Sequence, residues 1–191
     1  MIINPGKTTY QANPVMNLRD FLRLFSPVID NHQHAEALRF LYACTRFQNL
    51  NKSTVIPLSK LAPDQFIIVS EGLINGFTMN ELYRQDIWIG VSGSILISDR
   101  FSAQNMQIEA LELSRLLILD AKALEAGCVQ YPIINRLFSH LLYPKAVSGL
   151  EHISHLFRLD NASARKGYLE KTYPGIEKRL SPAVYAAYVE H

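Results

Sequence analysis

The chain has 191 residues and a formal net charge of +2, enough for one or two domains with no strong charge bias. Hydrophobic residues make up 48% and charged residues 19%, which excludes long disordered segments and a surface that is basic throughout, as in many nucleic-acid binders. Only two cysteines are present, which excludes a disulfide framework and a four-cysteine zinc site. No apolar run is long enough for a membrane helix and Met1–Gln11 shows no signal peptide, so the sequence predicts a cytoplasmic protein.

The chain opens with a polar segment, residues 1–16, that contains Pro and Gly and is predicted to be a loose leader. Apolar residues then recur at helical spacing from Leu18 to Phe25, and Pro27 ends this helix. A second helix is predicted over His32–Tyr42.

Short strands separated by turn residues follow between Arg46 and Asp120. Closely spaced short strands favour a barrel or a jelly roll over a parallel sheet. The candidate strands are Phe47–Leu50, Thr54–Leu58, Gln65–Ser70, Leu73–Met79, Ile87–Val91, Gln107–Leu113 and Leu116–Leu119.

After Asp120 the pattern is helical throughout. A short helix is predicted over Ala121–Gln130, and a long one, residues 132–158, begins at a proline and is kinked or interrupted at Pro144. Asp160 or Asn161 caps the next helix, which extends to Tyr173. Ser181 and Pro182 begin the last helix, which continues to His191.

This order of elements, together with eight short segments, resembles the Crp/Fnr transcription regulators of bacteria over Leu18 to His191. It resembles most the divergent branch of this family, whose members often lack nucleotide-binding residues. The segments are Phe66–Leu73, Ile108–Leu111, Leu116–Leu119, Tyr131–Pro132, Asn135–Leu137, Ala164–Leu169, Tyr173–Ile176 and Leu180–Pro182.

The resemblance implies an α+β fold: an antiparallel β jelly roll of the cyclic-nucleotide-binding type, N-terminal helices and a long C-terminal helix. It implies a sensor domain over residues 17–158 that includes a dimerisation helix over 132–158. Residues 159–191 would form a partial, truncated winged helix-turn-helix, because only its scaffold helix is matched. DNA would then be a partner only if the native chain extends beyond His191.

Members of this family that bind cyclic nucleotides use a Gly-Glu pair for the ribose and an Arg-Ser or Arg-Thr pair for the phosphate. Aligned through Ile108–Leu111, these positions fall on Gly93 and Ser94 and on Gln104 and Asn105. Both charged groups are missing, and a buried phosphate without a cation is costly. These four residues, with nearby Arg100, are predicted to line a degenerate pocket that does not bind cyclic AMP; any other effector is unknown.

The long helix carries an apolar stripe, which by itself indicates burial against either the roll or a partner. The resemblance adds a homodimer whose contact uses Leu137, Leu141, Leu150, Ile153 and Phe157.

No nucleophile elbow, phosphate loop or metalloprotease motif is present, so no catalytic residue, metal site or cofactor is predicted. The pairs His32/His34 and His152/His155 are interpreted as solvated helix residues rather than metal ligands. The alternative function is a stand-alone protein-interaction scaffold with a jelly-roll fold and no direct DNA binding.

Overall fold

A computed structural model describes residues 18–30, 32–61, 63–80, 83–98 and 105–190. The predicted leader, residues 1–16, lies outside them. Eight strands occur in the described part: β1 Thr45–Leu50, β2 Val55–Pro57, β3 Gln65–Glu71, β4 Leu73–Met79, β5 Arg84–Val91, β6 Ile95–Ser98, β7 Met106–Ala110 and β8 Ser114–Asp120. The α-helices described are α1 Leu18–Phe25, α2 Ala35–Cys44, α3 Ala121–Gln130, α4 Pro132–Leu137, α5 Tyr143–Phe157, α6 Ala162–Thr172 and α7 Pro182–Val189.

The strands form two four-stranded sheets with antiparallel pairing. Sheet one has the order β1-β8-β3-β6, and sheet two has the order β2-β7-β4-β5. The chain crosses between the sheets repeatedly. Because buried apolar residues of both sheets form one cluster, the sheets face each other across a single apolar layer. The predicted antiparallel roll with flanking helices is therefore confirmed.

The run Leu116–Leu119 in β8 shows why some strands lack polar alternation. Leu116 and Ile118 join the layer between the sheets, whereas Leu117 and Leu119 face the N-terminal helices. Because both faces of β8 are covered, both sets of side chains are apolar. The continuous hydrophobic run is the expected result.

Two groups of helices cover the outer faces of the roll. Helices α1 to α4 pack on sheet one around a cluster that includes Phe21, Phe25 and Leu117. The end of α5 and helices α6 and α7 pack on sheet two, against Leu73 and Ile89. The boundary predicted between residues 158 and 159 thus lies within a shared apolar cluster, and the separate C-terminal domain stays a prediction.

The tight turn between β3 and β4 requires glycine. Gly72 has φ +96°, a left-handed conformation that residues with a Cβ rarely adopt. A Cβ at this position would also collide with Ser114, whose hydroxyl accepts from the backbone N–H of Leu73 at 3.2 Å. Gly72 therefore fixes the start of β8 against β4.

The predicted long helix is present but not uniform. Between α4 and α5 the chain forms a π-helical turn, Phe138–Leu142, in which the Tyr143 N–H bonds to the Phe138 carbonyl. Pro144 follows at once and has no N–H for a regular helical bond. The predicted interruption at Pro144 is thus confirmed in kind, and it begins a turn earlier than the proline.

Other boundaries differ by a few residues, and one strand was missed. Asn161 and Ser181 act as N-caps as predicted, accepting from Ala164 and Val184. The four-residue strand β6 was not predicted, because a short apolar run between a glycine turn and polar residues carries little periodicity.

Candidate functional site

The open side of the roll, between the edge strands β5 and β6, is covered by α5. A Cβ placed on Gly149 of α5 would lie 3.3 Å from the Nε1 atom of Trp88 in β5 and 3.9 Å from the Ile95 carbonyl oxygen in β6. The glycine lets the helix backbone approach both strands closely. The space between the sheets is therefore closed at this side by α5.

Trp88 fills the interior beside that helix. Its side chain is 1% exposed and belongs to the apolar layer between the sheets. A Cβ on Gly76 would lie 2.9 Å from the Trp88 Cβ and 2.5 Å from the Met106 Cε, and a Cβ on Gly90 would collide with the indole ring. Glycines at these two positions make room for the ring, so the interior near α5 is occupied by side chains.

Uncharged polar groups lie at one end of the interior. Gln65 in β3 and Ser98 in β6 are 7% and 0% exposed, and the Gln65 backbone N–H donates to the Ser98 hydroxyl at 3.3 Å. Both lie two residues from members of the inner layer, Ile67 and Leu96, and so share their face. Sequence reasoning missed both, since each looks like an ordinary strand-end residue.

The predicted pocket residues that the structure describes, Gly93, Ser94 and Asn105, lie apart from this interior. Gly93 and Ser94 form the turn from β5 to β6, where the Ser94 hydroxyl accepts from the Val91 N–H at 3.0 Å and the Gly93 N–H donates to the Val69 carbonyl at 2.7 Å. Asn105 is exposed immediately before β7.

Arg100 and Gln104 lie outside the described residues. Gly93 and Ser94, which are adjacent in the sequence, thus lie at the rim of the roll. A ligand role for these residues stays a prediction.

A guanidinium and two carboxylates meet on the outer face of sheet two. Arg84 Nε donates to Asp86 Oδ1 at 2.9 Å, and Arg84 Nη2 lies 2.8 Å from Glu109 Oε2. The guanidinium carbon also lies 3.8 Å from the centre of the Phe77 ring. Asn75 Nδ2 donates to the same Asp86 oxygen at 2.5 Å. This group faces the C-terminal helices rather than the roll interior, because its strand neighbours Leu73 and Ile89 do.

Tyr188 of α7 completes this network. Its hydroxyl, on a fully buried side chain, lies 2.7 Å from Asn75 Oδ1 and 3.0 Å from the Trp88 carbonyl oxygen, and donates to one of them at a time. Burial, and next the negative charge of Asp86, raise the pKa of Tyr188 well above its ordinary value. A neutral hydroxyl thus ties the last helix to the strand that carries Trp88.

The residues predicted for the dimer contact divide into two groups. Leu137, Leu141 and Ile153 are at most 8% exposed and pack inside their own chain, and Phe157 is half-buried. Leu150 is 56% exposed. Of the five, Leu150 is the one whose side chain is open to a partner, and the dimer contact stays a prediction.

Within the part of the chain that the structure describes, no cluster of three or more potential ligands is placed to hold a metal ion. In the same residues, no helix is both long and apolar enough to cross a membrane.

Comparison with known proteins gives matches in structure only. No family model matches the chain, and no curated protein matches its sequence. FixK2 from Bradyrhizobium japonicum is similar over 76% of this chain and 77% of its own, with a TM-score of 0.55 and 11% identity. A protein described as a regulator of the Crp/Fnr family from Eubacterium rectale is similar over 80% and 74%, with a TM-score of 0.53 and 12% identity.

A mutant of CooA from Carboxydothermus hydrogenoformans is similar over 83% of this chain and 94% of its own, with a TM-score of 0.50 and 17% identity. The fold that matches these structures is the two-sheet roll followed by a long helix and smaller helices. That fold is the one of the Crp/Fnr regulators, as the sequence resemblance predicted.

Proposed function

We propose that this chain is the sensor and dimerisation portion of a Crp/Fnr-like transcription regulator and that its roll does not bind cyclic AMP. The observation that carries the proposal is the arrangement of the roll, the helix α5 across its open side, and the helices α6 and α7 beyond it. In this arrangement α5 touches the sensor and leads directly into the C-terminal helices.

A dimer is supported by the solvent-facing side of α5. Tyr143, Val147 and Leu150 follow each other at spacings of four and three residues, so they share one face of the helix. Tyr143 and Leu150 are 53% and 56% exposed, and Val147 is half-buried. Large apolar side chains aligned on one exposed helix face are typical of a symmetric helix contact.

The absence of cyclic AMP binding is supported by the packing of the interior. Trp88 and Met106 occupy the layer between the sheets, and the polar residues described there, Gln65 and Ser98, carry no charge. The cationic Arg84 lies on the other face of sheet two, paired with Asp86. A cyclic phosphate placed in the described interior would have no cation to meet it.

DNA binding tests the function. The protein encoded by the complete gene is expected to retard fragments of its own genome in a gel-shift titration at about 150 mM salt, where non-specific phosphate contacts are suppressed. If the native chain continues beyond His191, α7 is the scaffold helix in this proposal and base contacts come from the residues that follow it. Failure to bind any fragment better than random DNA would favour the scaffold alternative.

Two surface variants separate dimerisation from general surface effects. Leu150→Asp is expected to convert the dimer to a monomer and to weaken DNA binding at least about ten-fold, since a charge buried at an interface costs more than 1.4 kcal/mol. Val129→Asp, on α3 at 88% exposure, is the matched control and leaves both unchanged. Sedimentation velocity measures the oligomer, and a wild-type monomer throughout would contradict the dimer.

Cyclic AMP is expected to leave the melting temperature unchanged at millimolar concentration. A ligand present at one hundred times its dissociation constant would add about 2.7 kcal/mol, a shift of several degrees. Differential scanning calorimetry of the chain with and without cyclic AMP measures this directly. A clear upward shift that persists in Arg115→Gln, a variant that removes a cation from the outer surface of the roll, would show that the interior opens around Trp88 to admit a nucleotide.

A further inference from the structure

An open cleft of about 450 Å³ lies on the outside of the roll, between the last turn of α1 and the adjoining ends of β3 and β8. Its walls include Arg23 from α1, Arg115 from β8, and Ser92 and Gly93 from the turn between β5 and β6. The volume falls in the range of small-molecule sites. This cleft is separate from the interior that holds Trp88.

The guanidinium of Arg115 is weakly engaged by its neighbours. Its Nη1 atom lies 3.6 Å from Glu71 Oε2, and its Nε atom lies 3.4 Å from Asn49 Oδ1. Both distances exceed the ordinary 2.7–2.9 Å of charge-assisted hydrogen bonds. The Arg115 side chain is 32% exposed, so the group has donor capacity left for a ligand.

A second cation of the cleft wall comes from a helix, and a third lies beside the edge of the cleft at Gly93. Arg23 is exposed in the last turn of α1. Lys145 Nζ, from α5, lies 3.6 Å from the position that a Cβ on Gly93 would take. In the cleft wall as described, two cations, Arg23 and Arg115, stand against one carboxylate, that of Glu71. Like charges gathered in this way favour an anion between them.

The part of the cleft wall formed by Ser70, Ser92 and Gly93 is held in place by hydrogen bonds within the chain. The Ser92 hydroxyl donates to the Ser70 carbonyl at 2.8 Å, and the Ser70 hydroxyl donates to the Arg115 carbonyl at 3.0 Å. Gly93 has φ +86° and no side chain, so no Cβ lies between this turn and Lys145. The cleft therefore needs little rearrangement to accept a ligand.

We propose that this cleft binds a small anionic ligand bearing a phosphate or carboxylate group, held by Arg23 and Arg115 with Lys145 at the edge. The proposal goes beyond the regulator function, because the cleft lies outside the roll interior and binding needs no DNA. Arg23 alone has a structural explanation, since a cation stabilises a helix C-terminus. That explanation does not extend to Arg115, which lines the same cleft, or to Lys145 beside Gly93.

Isothermal titration calorimetry with inorganic phosphate and with citrate tests this and separates phosphate from carboxylate recognition. One of the two probes is expected to bind saturably to the chain at about 50 mM salt and more weakly at about 200 mM, as ionic recognition requires. Absence of saturable binding by both probes up to about 10 mM would overturn the proposal, since millimolar affinity is the weakest meaningful range.

Charge variants locate the site. Arg115→Gln and Lys145→Glu are each expected to weaken binding at least about five-fold, because each removes a charged donor. Arg39→Gln is the matched control, since Arg39 is exposed on α2 and pairs with Glu36 away from the cleft. Lys145 is itself exposed, so Lys145→Glu retains the fold if Arg115→Gln does not. Equal affinity in all four proteins would place the anion elsewhere. Since DNA is absent, the result is independent of the regulator function.

Discussion

Replacing Trp88 with alanine is expected to lower the free energy of unfolding by about 3–5 kcal/mol, the range for large aromatic residues removed from a core. The side chain is 1% exposed, and Gly76 and Gly90 both lie against it without a Cβ. Neighbouring side chains cannot easily refill the space, because two of the positions around the ring are glycines. The free-energy cost of the empty cavity therefore adds to the free energy lost with the buried apolar surface.

Urea denaturation followed by far-ultraviolet circular dichroism measures this change, because Trp88 is the only tryptophan and its fluorescence is lost in the variant. Tyr83→Ala is the control, since Tyr83 is 58% exposed and its loss is expected to cost at most about 0.5 kcal/mol. A loss below about 1 kcal/mol for Trp88→Ala would mean that the roll is not packed around the indole.

Replacing Asp86 with alanine is expected to cost about 3 kcal/mol, the lower end of the range for breaking a buried ion pair. Asp86 is 6% exposed and accepts from both Arg84 and Asn75, so its removal leaves the buried Asn75 amide without this acceptor and takes one of two carboxylate partners from Arg84. Arg84 keeps its ion pair with Glu109 and is one-third exposed, which moderates the loss. Urea denaturation again gives the free energy.

An exposed ion pair provides the comparison. Glu36→Ala removes the partner of Arg39 at side-chain exposures of 68% and 76%, and is expected to change stability by at most about 0.5 kcal/mol. Hydrogen exchange adds a readout of position, because Asn75 also binds Tyr188. Amides of α7 are expected to exchange faster in Asp86→Ala and to be unchanged in Glu36→Ala. Equal losses in the two variants would contradict a buried network.

The helices and most strands could be predicted because their signals are local. Caps such as Ser181 act within three residues, and β4 has the predicted bounds because four of its seven residues are large and apolar and turn residues close the run. The strand β6 was missed because four residues carry too little pattern. Strand order was also beyond reach, since Gln48 of β1 pairs with Leu116 of β8 far along the chain.

The candidate site was less predictable for the same reason. Tyr188 and Asn75 are 113 residues apart, and nothing near either residue indicates the other. The resemblance predicted a pocket at Gly93 and Ser94 by alignment, yet the side chain that fills the interior is Trp88. Its place depends on three glycines, one on β4, one on its own strand β5 and one on α5. Arg23 and Arg115 likewise meet only through the tertiary fold.

The π-helical turn Phe138–Leu142 decides how one helix can serve two separate apolar clusters. Leu137 in the first cluster and Leu156 in the second are nineteen residues apart, which in an unbroken α-helix would turn them about 100° away from each other. The turn accommodates one additional residue, so the effective separation is eighteen and the two leucines come into angular alignment. The extra residue thus changes the phase of the helix between the part that packs in the first cluster and the part that packs in the second.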